Sequence, residues 1–175
     1  ANICVELVKR SGLKEGVYIR PVCYKSELSL GPKVHDVDSS MCCYVIKLGD
    51  YCDIESGLDV VVSSWRRLSD NAIPSRAKTV GSYINSSLAS SEAKQAGFDE
   101  AIFLREDGTV SEGSAMNLFV VQNGTLITTP PTADILVGIY VDPDGVLNGN
   151  ESWLIKDVPV LDTHGVLRRP PRHDG

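Results

Sequence analysis

Apolar residues near the start recur as Ile3, Leu7 and Val8, a helical spacing, and Gly12 follows as a stop, so the pattern predicts a short helix over residues 3–13. The period then changes. Residues 17–24, 42–47 and 58–65 are β-branched and aromatic runs of strand length, separated by clusters of Gly, Pro, Asp and Ser. The stretch 48–57, with Gly49, Asp50, Asp53 and Gly57, is loop-like and is the candidate linker between two domains. After Pro74, residues 80–96 place Val80, Tyr83, Ile84 and Leu88 at helical spacing, and Gly97 ends the predicted helix. Short strands are expected at 101–104, 109–112, 117–121 and 125–128. Asp107-Gly108 and Asn123-Gly124 punctuate them as two-residue hairpin turns, which together predict an antiparallel meander. A helix followed by hairpins favours an α+β fold over a purely parallel sheet. From Tyr140 onward, Asp142, Pro143, Asp144, Gly145, Asn148, Gly149 and Asn150 crowd together without periodicity, and the end is rich in Arg and Pro.

Composition narrows the class. The chain has 175 residues, 42% hydrophobic and 23% charged, which excludes disordered and fibrous proteins. Acidic residues outnumber basic ones 23 to 17, a net charge of -6, so no basic stripe offers itself to nucleic acid. Apolar runs such as 41–46 fall far short of the roughly 20 residues of a membrane helix, and no signal peptide opens the chain. The sequence therefore reads as soluble and cytoplasmic, with neither membrane nor nucleic acid as a partner. Cysteines at positions 4, 23, 42, 43 and 52 form no C-x-x-C pair, and histidines at 35, 164 and 173 are far apart, so no metal site is expected. Free and mostly buried thiols are the expected state. The acidic cluster after Tyr140 lacks the spacing of a calcium loop and reads as a turn.

Two residues stand out as carriers of chemistry. Lys78 alone reads as a solvated lysine, but it lies between a Pro-containing loop and a predicted helix. An amine there would be partly desolvated and close to backbone donors, conditions that favour a nucleophilic or Schiff-base lysine. Glu112 ends a hairpin strand and precedes Gly113-Ser114-Ala115, small residues that let a carboxylate face a flat ligand closely. Capping a turn is an equally open reading of that carboxylate.

The run Ser75-Arg76-Ala77-Lys78-Thr79-Val80-Gly81-Ser82-Tyr83 and the run Val110-Ser111-Glu112-Gly113-Ser114-Ala115-Met116-Asn117-Leu118-Phe119 resemble the two signature stretches of the class IV (fold type IV) pyridoxal-phosphate aminotransferases. The likeness extends through Gly97-Phe98-Asp99-Glu100-Ala101, Asn123-Gly124-Thr125-Leu126-Ile127-Thr128, Pro130-Pro131-Thr132 and Ile135-Leu136-Val137-Gly138-Ile139, covering residues 3–139. Tyr18-Ile19-Arg20-Pro21 resembles the strand that brings a Tyr and an Arg to the substrate in branched-chain amino acid aminotransferases. D-amino acid aminotransferases and aminodeoxychorismate lyases usually differ there and are the alternatives.

The resemblance implies an α+β fold. Residues 1–50 would be the C-terminal part of a small domain, 51–57 a linker, 58–139 the N-terminal part of a larger cofactor-binding domain, and 140–175 a divergent, disordered tail. It implies pyridoxal 5'-phosphate as cofactor, amino acids and 2-oxo acids as substrates, 2-oxoglutarate/glutamate as the amino-group partner, and a homodimer. Lys78 would be the Schiff-base residue and move the proton at the substrate α-carbon, and Glu112 would keep the pyridine nitrogen protonated. Tyr83 would hydrogen-bond the ring hydroxyl, Gly138 and Ile139 would meet the phosphate, and Tyr18, Arg20 and Tyr51 would face the substrate. The sequence departs from the family at Tyr140, where a phosphate-binding Thr and then Arg usually follow Gly-Ile. It departs also at Leu48 and Met116, often Trp and Glu, and the family's upstream phosphate-binding Arg has no counterpart. Charge-assisted hydrogen bonds are worth about 1.5 to 3 kcal/mol each, so residues 1–175 alone are expected to bind cofactor roughly two to four powers of ten more weakly. Apolar faces are expected to stand exposed, and a truncated relative serving only as a binding or oligomerising module is the further alternative.

Overall fold

The computed structural model describes residues 2–49, 57–122, 125–138, 155–156 and 166–167. The chain divides into two compact units, Ala1–Glu55 and Ser56–Gly175.

In the first unit, helix α1 (Asn2–Ser11) packs on a two-stranded antiparallel ribbon of β1 (Val17–Lys25) and β2 (Ser39–Lys47). The register runs from Val17 opposite Lys47 to Lys25 opposite Ser39. Half-buried Cys4, Leu7 and Val8 form the covered face of α1, while Ile3 is 63% exposed, so the packed stripe is rotated by one residue from the spacing read in sequence. Gly12, at φ 74°, ends the helix in the left-handed region where glycine carries no Cβ penalty. Gly16 closes the ribbon. Its carbonyl accepts from the Leu48 amide at 2.7 Å, and a Cβ added to it would lie 2.6 Å from the Leu48 carbonyl oxygen. The thiols are not buried as expected: Cys23 and Cys42 are exposed, Cys4 and Cys43 half-buried with sulfurs 3.9 Å apart, because a two-stranded ribbon has too few layers to enclose them. Cys52 lies outside the described residues.

The second unit is built around a parallel crossover. Strand β3 (Val60–Arg66) leads through helix α2 (Tyr83–Gln95) to β4 (Glu100–Leu104), and β3 and β4 pair in parallel. Strand β5 (Val110–Gly113) returns antiparallel to β4. Strands β6 (Phe119–Gln122) and β7 (Thr125–Thr128) form a second hairpin, and the two-residue strands β8 (Ile155–Lys156) and β9 (Val166–Leu167) join β6 and β3. The sheet orders are β5-β4-β3-β9 and β7-β6-β8.

The hairpins are antiparallel as predicted, but they do not form one meander. After β5 the chain folds back on itself, with the Gly113 amide on the Met116 carbonyl at 2.8 Å and the Ser114 amide on Ala101 at 3.1 Å, and β6 starts a separate sheet. The first turn also differs from the two-residue type. Gly108 donates to Arg105 and Arg105 to Thr109, so three residues make the turn, with Gly108 at φ 83°. Residues 123 and 124 of the second predicted turn lie outside the described residues.

Helix α2 ends in a Schellman arrangement: the Gly97 amide donates to Lys94, the Phe98 amide donates to Ala93, and Gly97 sits at φ 84°. Its buried face is Asn85, Ser86, Ala89 and Ala93 rather than the apolar stripe, since Val80, Ile84 and Leu88 are 73, 67 and 39% exposed. Small side chains bring the helix close to β3 and β4, where Ala89, Ala93, Ala101 and Phe103 are fully buried beside Val61 and Phe98.

Candidate active site

Strand β3 breaks register between Val62 and Arg66, and α2 locks the break. The hydroxyls of Ser63 and Ser64 donate to the Glu92 carboxylate, and the Ser64 amide donates to it at 3.0 Å. One turn pair earlier on the helix, Asn85 donates through Nδ2 to the Arg66 carbonyl at 3.0 Å and accepts the Leu68 amide at 3.2 Å. Both peptide groups flanking Arg67 are thereby fixed, and the Arg67 amide donates to Leu104 at 2.9 Å. The result is an arginine only 6% exposed. Its guanidinium lies over the Phe103 ring, 5.6 Å from the centroid, and its Nε donates to the Asp134 carbonyl at 3.2 Å.

Glu112, near the end of β5, is 5% exposed. Arg67 Nη2 donates to its Oε1 at 2.7 Å, Asn117 Nδ2 donates to Oε2 at 3.0 Å, and the Leu136 amide reaches both oxygens at 3.2 and 3.1 Å. Asn117 also donates to the Leu136 carbonyl at 3.0 Å, which fixes the orientation of its amide. Burial pushes the Glu112 carboxyl up to about 7, opposed by Arg67, the Leu136 amide and Asn117. Three donors make four contacts with it, two on each oxygen, because the Leu136 amide is shared between both.

Lys78 follows a single 3-10 turn, Ser75–Ala77, and adopts φ 49°, ψ 42°, a left-handed backbone uncommon outside glycine. The expectation of a partly desolvated amine is corrected: the turn buries Ser75 and leaves residues 76–81 on the surface, with no hydrogen bond or ion pair to Lys78 Nζ among the described residues. The turn itself is well anchored. The Ser75 amide donates to Asp70 Oδ1 at 2.7 Å, Arg76 pairs with Asp70 Oδ2 at 3.1 Å, and the Asp70 amide donates to Asp134 Oδ1 at 3.0 Å. The Ser75 amide, followed by Arg76, holds the Asp70 carboxyl below its ordinary value. Ser75 Oγ donates to the Asp134 carbonyl at 2.9 Å, the same oxygen that accepts Arg67 Nε. Asp134, at φ 58°, bonds Arg105 Nε through Oδ2 at 3.0 Å. The turn that precedes Lys78 and the cation that holds Glu112 therefore share one acceptor.

Of the remaining predicted site residues, Tyr83 is half-buried at the start of α2 and Gly138 is half-buried, whereas Ile139 and Tyr51 lie outside the described residues. In the first unit, Arg20 donates through Nε and Nη2 to the Tyr18 hydroxyl at 3.0 and 2.6 Å, and Tyr44 stands opposite Arg20 across the ribbon. Hydrogen bonding to Tyr18 pushes the exposed Arg20 guanidinium above its ordinary value. The sequence reading missed Arg67, Asn117 and Asp134. No sequence pattern marks Arg67: Ser64, Trp65 and Arg66 ahead of it are all exposed, so alternation along β3 does not single it out.

The second unit thus holds a β-α-β crossover with a lysine turn and a buried carboxylate on the neighbouring hairpin, and comparison with known proteins gives the family. Residues 1–142 match the model for "Amino-transferase class IV", and the chain belongs to that family. It is 46% identical over 138 residues to a probable branched-chain-amino-acid aminotransferase of Aquifex aeolicus, covering 79% of this chain and 44% of that protein. A crystal structure of the branched-chain aminotransferase of Thermoproteus uzoniensis with norvaline superposes with a TM-score of 0.76 at 41% identity, covering 79% of this chain and 46% of that one. The branched-chain amino acid aminotransferase of Thermobaculum terrenum in its PLP form superposes with a TM-score of 0.69 at 35% identity, over 78% of this chain and 44% of that one. The chain thus spans about half the length of the relatives it matches. Among the described residues, no helix is long and apolar enough to cross a membrane and no cluster of side chains could hold a metal ion.

Proposed function

We propose that this chain carries part of the active site of a pyridoxal-5'-phosphate-dependent transaminase of branched-chain amino acids, with 2-oxoglutarate and glutamate as the second substrate pair. The observation that carries the reading is Glu112, a buried carboxylate held in one orientation by Arg67, Asn117 and a Leu136 amide shared between its two oxygens. A pyridine N–H is a donor that such a carboxylate would accept, the shared Leu136 amide then being needed at one oxygen only. The donor set therefore fits the cofactor, which when bound supplies an electron sink for the carbanion at the substrate α-carbon.

Lys78 Nζ would hold the cofactor covalently and move the proton at the α-carbon, as an exposed lysine on an anchored turn allows. Tyr83 would orient the ring through its hydroxyl, and Gly138, with Ile139, would offer backbone donors to phosphate. Arg20, steadied by Tyr18, would meet a substrate carboxylate with its planar guanidinium, and Tyr51 would line the substrate pocket. A cytoplasmic homodimer completes the proposal, and light scattering of the purified protein tests the dimer.

Borohydride reduction in the presence of pyridoxal phosphate, followed by peptide mapping, should place the pyridoxyl adduct on Lys78. An adduct chiefly on Lys47 or Lys94 would overturn the assignment. In protein that transaminates leucine, Glu112→Gln should raise the barrier by about 2 to 4 kcal/mol, because a neutral amide does not stabilise a protonated pyridine. Unchanged turnover would remove Glu112 from the site. Turnover of D-alanine in place of leucine would assign the D-amino acid activity instead.

A further inference from the structure

Resting on the reading of Glu112 just given, we propose that Arg67 is the positioning residue of the site: it favours the ionised form of the Glu112 carboxylate and orients it toward the cofactor's ring nitrogen, and it couples that carboxylate to the lysine turn through the Asp134 carbonyl. A carboxylate in a nearly dry site tends to take up a proton, and a protonated carboxyl would not stabilise a pyridinium. Among the described residues, Arg67 is the charged group that meets Glu112, at 2.7 Å with both side chains 6% exposed. The Asp134 carboxylate is turned elsewhere, to Arg105 Nε and the Asp70 amide.

The geometry is too specific for a chance ion pair. A surface pair would leave the arginine free to rotate, whereas here Asn85 holds the peptides on both sides of Arg67, Phe103 stacks under the guanidinium and the Asp134 carbonyl takes its Nε. Ser75 Oγ bonds the same carbonyl oxygen, and the Lys78 amide bonds the Ser75 carbonyl at 3.2 Å, so displacement of Arg67 would be felt at the backbone of the lysine. A buried apolar core at this place would serve stability equally well or better, since buried ion pairs seldom add net stability over well-packed hydrophobic residues. A carboxylate fixed in orientation and biased toward its ionised form is what the pair provides and an apolar core does not.

The test compares wild type, Arg67→Lys, Arg67→Met and Glu112→Gln in the full chain. First, without cofactor, the protonation of Glu112 is followed by carbon-13 NMR of glutamate labelled at Cδ, with Glu112→Gln identifying the signal. The Glu112 midpoint should rise by about one to three pH units in Arg67→Met, and Arg67→Lys should restore most of the wild-type value. A midpoint unmoved in Arg67→Met overturns the proposal. Second, pyridoxal phosphate labelled with nitrogen-15 in the ring is added. The ring-nitrogen signal should move from the protonated toward the neutral position in Arg67→Met, as in Glu112→Gln, and return in Arg67→Lys. A shift in Glu112→Gln but not in Arg67→Met overturns the role of Arg67 and leaves the reading of Glu112 standing. No shift in Glu112→Gln overturns that reading, and the proposal with it. If Arg67→Met does not fold, Arg67→Gln, which keeps hydrogen-bonding groups but no charge, takes its place: a raised Glu112 midpoint and loss of the protonated ring signal with native circular dichroism support the proposal, and an unmoved midpoint overturns it.

Discussion

Lys78 keeps a backbone conformation that costs an L-residue about 1 to 2 kcal/mol and glycine almost nothing, so local strain is retained at the proposed Schiff-base lysine. Lys78→Gly should therefore abolish turnover yet stabilise the fold by about 1 kcal/mol, whereas Lys78→Ala should abolish turnover with no such gain. Calorimetric melting of the two variants checks this. Glu112 makes the opposite bargain. Its folded value of about 7 lies above the ordinary glutamate value of about 4.3, so the folded state binds the extra proton between those limits. The stability this contributes is complete below about pH 4.3 and is lost as pH rises through about 7. Urea midpoints measured from pH 4 to 8 should fall less steeply with pH in Glu112→Gln than in wild type. Asp70 has the reverse sign: its lowered value gives stability present above the ordinary aspartate range and lost in acid. Lys78 and Glu112 stood out in the sequence as candidates because their neighbours form distinctive strings. Arg67 did not, because nothing in a one-dimensional pattern states that a strand will break register and turn its arginine inward.

Helix α2 shows how an element can be found by its period while its packed face is missed. Val80, Ile84 and Leu88 gave the helical spacing, yet the side turned to the sheet carries Asn85, Ser86, Ala89 and Ala93. Small residues win that face because they allow close approach, and close approach lets Asn85 and Glu92 reach the backbone of β3. Ala93→Leu should accordingly be more damaging than its hydrophobicity suggests, costing about 1 to 3 kcal/mol through overpacking. The same substitution should displace Asn85 and with it the peptides around Arg67, seen as changed amide shifts at Arg67 and Leu68. An equal substitution on the exposed side, Ile84→Leu, should leave both stability and those shifts unaltered. The strands were legible for the plainer reason that each carries β-branched residues between turn formers. The parallel pairing of β3 with β4 and the division of the hairpins between two sheets depend on contacts far apart in sequence, which local patterning does not encode.

At the scale of the whole molecule, a net charge of -6 stands beside exposed apolar side chains on α2 and at Leu28 and Leu30. Charge repulsion is what keeps such surfaces apart, and it vanishes near pH 5.0. Solubility should be least there, and Ile84→Glu should raise it, as measured by turbidity against pH. The Asp134 carbonyl has one further consequence, for motion rather than for chemistry. Because it accepts from both Ser75 and Arg67, any excursion of the segment around Asp134 releases the lysine turn and the carboxylate's cation together. In native-state hydrogen exchange the amides of Asp70, Ser75 and Leu136, donors to Asp134 Oδ1, Asp70 and Glu112, should then open as one cooperative unit with a common free energy. The site would lose its parts all at once or not at all.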